Sequence, residues 1–123
     1  MTRQGRLPVY PNEVKIRFMT DAIVVLCTCP DQTSADLLCE QLLNQRLAAC
    51  INQLPGVTSV YRWQGKVKRT TEIQLIIKSR QPLFAELQAC IQAHHPYEVP
   101  ELLALPVSAG LPAYLDWLNG ETS

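Results

Sequence analysis

Seven side chains in this sequence carry soft or borderline metal-binding chemistry: Cys27, Cys29, Cys39, Cys50, Cys90, His94 and His95. Cys27 and Cys29 stand two apart at the end of a β-rich apolar run, and on a strand that spacing puts both side chains on one face. A C-x-C pair of this kind can hold a soft ion, although Pro30 places Cys29 at the strand's end. His94 and His95 are adjacent. On a regular helix neighbours point about 100° apart and could not share one ion. Pro96 breaks the helix at this point, which lets the two rings converge. Each group also has a purely structural reading. Free cysteines are among the most buried residue types and pack as small hydrophobes, and two histidines at a helix C-terminus meet the macrodipole favourably. Cys39 and Cys90 fall on helices and read as packing. No paired cysteines at zinc-finger spacing occur, which argues against a structural zinc.

The other chemistry-bearing segment is Tyr97-Glu98-Val99-Pro100-Glu101. It reads as a rigid crossover whose glutamates pair with Lys or Arg, or as the polar lining of a pocket between subunits. A cysteine with a histidine can serve as nucleophile and base. Here no recognisable signature surrounds any cysteine, and the five glycines are scattered singly, leaving no phosphate-cradling loop. The expectation is a protein that is not an enzyme, with no catalytic residues.

The elements that must position these side chains follow from periodicity. Ala22 to Thr28 reads as a strand buried on both faces. Pro30 ends it and Asp31 is a candidate N-cap. Ala35, Leu38 and Leu42 recur at helical spacing, with Leu37 and Leu43 widening the stripe, so residues 31–46 read as an amphipathic helix. Residues 48–63 turn extended again, with a bulge or bend at Pro55-Gly56. Gln64-Gly65 supplies a tight turn. Residues 66–78 return with Val67, Thr71, Ile73, Leu75 and Ile77 at a period of two. Leu83, Phe84, Leu87 and Ile91 mark a second helix that ends at His95-Pro96, so His95 is expected to be extended. Leu102 to Val107 gives a last strand and Leu111 to Leu118 a terminal helix. The order strand, helix, strand, strand, helix, strand, helix is α+β and specifically the split βαβ, ferredoxin-like arrangement: an antiparallel sheet with both main helices on one face.

A chain of 123 residues fits one domain. Its composition, 47% hydrophobic and 18% charged, is that of a globular protein with an ordinary core. Eleven basic residues balance eleven acidic ones, so the charge gives no sign of a nucleic-acid or anionic-membrane partner. No apolar run approaches a membrane span. The polar, proline-interrupted N-terminus lacks the apolar stretch of a secretory signal. Residues 1–18 are expected to be a flexible tail, upstream of a second Met at position 19, and residues 19–123 the single domain. An odd number of cysteines without an export signal points to reduced thiols in the cytoplasm.

Six blocks of this sequence resemble, in order and spacing over about residues 21–119, the signature of the CutA family of divalent-cation tolerance proteins. They are residues 24–31 (VVLCTCPD), 47–52 (LAACIN), 61–66 (YRWQGK), 72–78 (EIQLIIK), 95–101 (HPYEVPE) and 114–117 (YLDW). The resemblance implies a ferredoxin-like protomer, a homotrimer similar in architecture to PII signalling proteins, and a role in tolerance of copper and other divalent metals. It also implies that Cys27, His94 and His95 are the metal ligands, with copper as the ion and Cys50 as a supplementary donor. Thiolate suits Cu(I) and imidazole accepts Cu(II). The rival expectation is a trimeric PII-like signalling or scaffold module that binds a small molecule or partner in clefts between subunits.

Deleting residues 1–18 is expected to leave folding and assembly unchanged, because the segment has no periodic apolar pattern. Thermal melting of the truncated chain checks this, and a large fall in melting temperature would show that the segment is docked.

Overall fold

A computed structural model describes residues 20–123, so the expected tail over residues 1–18 lies outside the described residues. Strand β1 runs Ala22–Cys29, helix α1 Gln32–Asn44, β2 Cys50–Trp63, β3 Lys66–Arg80, α2 Phe84–His94, β4 Leu103–Pro106 and α3 Pro112–Glu121. The four strands form one antiparallel sheet in the order β2-β3-β1-β4. That is the ferredoxin-like order, in which β3 is inserted between the two strands joined by α1.

The pleat explains the core. On β1, Ile23, Val25, Cys27 and Cys29 alternate inward; on β3, Ile73, Leu75 and Ile77 do the same. They meet Ala35, Leu38 and Leu42 of α1 and Leu87, Cys90 and Ile91 of α2. Both main helices therefore cover the same face. Leu37 and Leu43 stay partly exposed rather than joining the core stripe of α1, because three positions per two turns already fill the contact. The opposite face carries half-buried Val24, Leu26 and Ile76 and exposed Leu103 and Leu105.

Local chemistry sets the joints. Asp31 caps α1, its carboxylate accepting from the Ser34 backbone N–H and from the Ser34 hydroxyl at 2.8 Å each. Helix α1 ends with Arg46 left-handed (φ 58°), Arg46 N–H donating to Leu43 and Leu47 N–H to Leu42, the pattern of a Schellman cap. A non-glycine residue in that conformation is costly. The Arg46 guanidinium is put to use, donating to the carbonyls of Gly120 and Ser123 at the end of α3. Gln64 and Gly65 both have positive φ, which gives the hairpin a turn matched to strand twist. The β2–β3 register shifts between Leu54 and Val57, placing the bulge at Pro55-Gly56.

Leu75 is fully buried on the inserted strand, so Leu75→Ala is expected to cost about 2–5 kcal/mol. Leu37→Ala, on the exposed flank of α1, is expected to stay within about 1 kcal/mol. Urea denaturation of the two variants checks the contrast.

Candidate metal centre

The C-terminal end of β1, the last turn of α2 and the crossover after it converge at one corner of the core. Cys27 and Cys29 share the helix-facing side of β1, opposite Leu75 and Ile73 of β3, and both are 0% exposed. His95 follows α2 with φ −80° and ψ 138°, extended because Pro96 excludes the helical region. That step out of the helix turns its ring toward β1. One donor atom each from Cys27, Cys29 and His95 lie within 4.8 Å of one another, and all three residues are buried.

The rings of the two histidines part company. His94 is still helical, and its Nδ1 lies 2.9 Å from the Cys90 carbonyl, one turn back. A carbonyl only accepts, so Nδ1 is the donor, and in the neutral ring Nε2 keeps its lone pair. His95 is held by backbone on both sides: Nε2 donates to the Thr28 carbonyl at 2.8 Å, and Nδ1 accepts from the Tyr97 N–H at 3.0 Å. Of the residues that the resemblance implies as ligands, the structure brings Cys27 and His95 together and leaves His94 outside the group. Cys29 takes the third place. The C-x-C spacing carries that signal in the sequence, weakened there by Pro30, yet Cys29 still pairs with Ile73 as a full strand residue.

The other thiols lie elsewhere. Cys50 begins β2 and pairs with Lys78, which pairs with Val24, so it sits toward the opposite end of the sheet from Cys27. The Cys39 sulfur accepts from Gln53 at 3.3 Å and the Cys90 sulfur from Gln45 at 3.8 Å. Both thiols are raised above the ordinary range, chiefly by burial.

The electrostatics of the corner are one-sided. The neighbouring Cys29 sulfur pushes the Cys27 thiol far up, and burial and the charges of Glu101 and Glu72 push it further; the Cys27 S–H itself donates to the Thr28 carbonyl at 3.8 Å. The nearby Cys27 thiol in turn holds Cys29 below the usual thiol range against burial, Asp31 and Glu72. Glu72 itself is buried, with its carboxylate accepting from the Tyr97 hydroxyl at 2.7 Å. Burial and this contact raise the Tyr97 phenol well above its ordinary value. Among the described residues the side-chain ion pair is Arg80–Asp21, and no basic residue pairs with Glu72. Sequence reading missed Glu72, because nothing local links it to Tyr97 twenty-five residues later. Glu98, which reads from sequence as a partner for Lys or Arg, is exposed and makes no such pair among the described residues.

Fold and corner together define a ferredoxin-like α+β protein with a buried thiol–imidazole group at one end of its sheet. The chain belongs to the CutA1 divalent ion tolerance protein family, which matches residues 23–121. It is 50% identical over 109 residues to the divalent-cation tolerance protein CutA of Yersinia pestis (strain Pestoides F), covering 89% of each chain. The CutA of Yersinia pseudotuberculosis serotype O:1b is similar to the same degree, 50% over 109 residues and 89% of each chain. Among solved structures, CutA from Xylella fastidiosa superposes with a TM-score of 0.82 at 46% identity, over 85% of this chain and 100% of that one. The divalent cation tolerance protein from Thermus thermophilus gives 0.81 at 44% identity, over 83% and 99%.

Tyr97→Phe removes the hydroxyl that satisfies the buried Glu72 carboxylate, and is expected to destabilise the fold by about 1–3 kcal/mol. Chemical denaturation at neutral pH checks it; unchanged stability would show that water replaces the phenol.

Proposed function

We propose that this protein is a homotrimeric copper-tolerance protein of the cytoplasm, not an enzyme, which takes up the ion where β1 meets the end of α2. The observation that supports the site is the gathering of Cys27 and His95 donors within 4.8 Å in a chain of the divalent-cation tolerance family. The donor chemistry fits copper, since sulfur and imidazole nitrogen are its preferred ligands, and does not fit calcium or magnesium, which require oxygen cages. Cys27 and His95 hold the ion. His94, half-buried with Nε2 free, is the outer donor that meets it first. Its Nδ1–H contact with a backbone carbonyl is the second contact that commonly orients ligating imidazoles. The bound ion would supply no redox step to this reading; the residues capture and sequester it.

Three features support assembly. The sheet face opposite the helices leaves Leu103 and Leu105 exposed beside Val24, Leu26 and Ile76. The fourteen-residue strand β2 extends roughly 45 Å at about 3.3 Å per residue, against a domain diameter of roughly 30–35 Å. Beyond the bulge the hairpin is outside its own core: Val60, Tyr61, Trp63 and Val67 are all exposed. A lone projecting hairpin with open edges is marginal in water, and pairing each with a neighbouring copy closes a ring.

Native mass spectrometry of the copper-loaded chain is expected to give about three times 13.8 kDa, with copper bound in each subunit. Cys27→Ser is expected to keep the trimer and weaken copper binding more than about tenfold. Equal affinity in wild type, Cys27→Ser and a His94/His95 double alanine would defeat the site, and a monomer would defeat the assembly.

A further inference from the structure

We propose that Cys29 is a metal ligand, and that Cys27, Cys29 and His95 form a three-coordinate site for Cu(I). This rests on the copper reading above and narrows it to an oxidation state and a ligand set. Geometry comes first. With metal–sulfur bonds of about 2.3 Å and metal–nitrogen bonds of about 2.0 Å, the donors of a trigonal site stand roughly 3.7–4.0 Å apart. The three donors here already lie within 4.8 Å of one another, so closing on an ion draws them in by less than the length of a bond.

Coordination number decides the ion. Both sulfurs are fully buried and His95 is 8% exposed, so the group has little access to a water as fourth ligand. Zinc completes a tetrahedron with a fourth protein ligand or water, and Cu(II) takes a tetragonal set of nitrogen and oxygen donors. Cu(I) is satisfied by two or three soft donors, sulfur above all. Glu72, which could lend an oxygen, lies outside the group and is engaged by Tyr97. His94, the other imidazole at this corner, lies outside the group of three donors.

The charged groups that act on the two sulfurs are Glu72, Glu101 and Asp31, all acidic. The buried Glu72 carboxylate has no basic partner among the described residues. On binding, Cu(I) takes the place of the thiol protons, which leave to solvent, and no electron is transferred. The imidazole joins by giving up one backbone contact, the Tyr97 N–H at Nδ1 or the Thr28 carbonyl at Nε2.

The test is copper X-ray absorption on the full chain loaded anaerobically with Cu(I), with affinity measured by competition against a chromophoric Cu(I) chelator. The wild type is expected to show two sulfurs and one nitrogen per copper. Cys29→Ala is expected to show one sulfur and to bind Cu(I) more than about a hundredfold more weakly, since even outer contacts of a metal site carry about 10–100-fold. The sulfur count on wild type does not depend on how well the variant folds. One sulfur per copper, or wild-type Cu(I) affinity in Cys29→Ala alongside a loss in Cys27→Ser, overturns the proposal and spares the copper reading. Tighter binding of Zn(II) than of Cu(I) overturns the choice of ion. Undiminished Cu(I) affinity in both variants overturns the proposal and the copper reading together.

Discussion

The alternation of side chains along β1 is the constraint from which the rest of the structure follows. Ile23 and Val25 must face the helices to be buried, and with a period of two Cys27 and Cys29 go with them. The strand cannot slip to escape this. It is paired on one side to β3 over its whole length and on the other to β4, and a shift of one residue would send every core side chain to the far face. Both sulfurs are therefore committed to the interior, and Pro30 and the Asp31 cap fix how far along the core they lie. Two thiols at the end of a hydrophobic strand would be ordinary packing if nothing polar came to meet them.

What comes to meet them is His95, and its arrival depends on backbone rather than on side-chain preference. Pro96 forces the residue before it out of the helix, so the ring swings from the axis of α2 toward the end of β1. There the Thr28 carbonyl receives Nε2–H, and the ring's other nitrogen receives the Tyr97 N–H. One imidazole thus ties strand, helix end and crossover together. Tyr97, placed by that contact, reaches Glu72 on β3 and donates its hydroxyl to the buried carboxylate.

Much of this was legible in the chain itself, for stated physical reasons. The strand and helix order, the turn at Gln64-Gly65, the bulge at Pro55-Gly56, the Asp31 cap and the extended His95 all follow from local rules that tertiary structure did not overrule. Cys27 and His95 were legible as ligand candidates through family resemblance. The divergence of His94 from His95 was not, because Pro96 permits convergence and divergence alike, and the Cys90 carbonyl settles which. Cys29 was legible only as half of a weak spacing, since its value depends on a ring far along the chain, at His95. Leu37 and Leu43 looked like core from their spacing and are not, because α2 covers only part of the α1 surface.

The two faces of β1 have different destinations, and they are mechanically one object. Cys27 and Cys29 look toward the helices, while Val24 and Leu26, just before them in the strand, look toward the open face, beside Leu105 and Leu103 of β4. Under the proposed assembly that open face is where copies meet. A backbone with hydrogen bonds on both sides does not bend freely, so a displacement at Cys27 is also a displacement at Leu26. An ion that drew the sulfurs and the imidazole together would pull on the end of β1 and loosen one contact of the 95–101 crossover that leads into β4. The strand that carries the donors and the strand that edges the open face are then loaded at the same moment. In this architecture the buried corner and the open face share one strand, β1, whose alternate side chains belong to each.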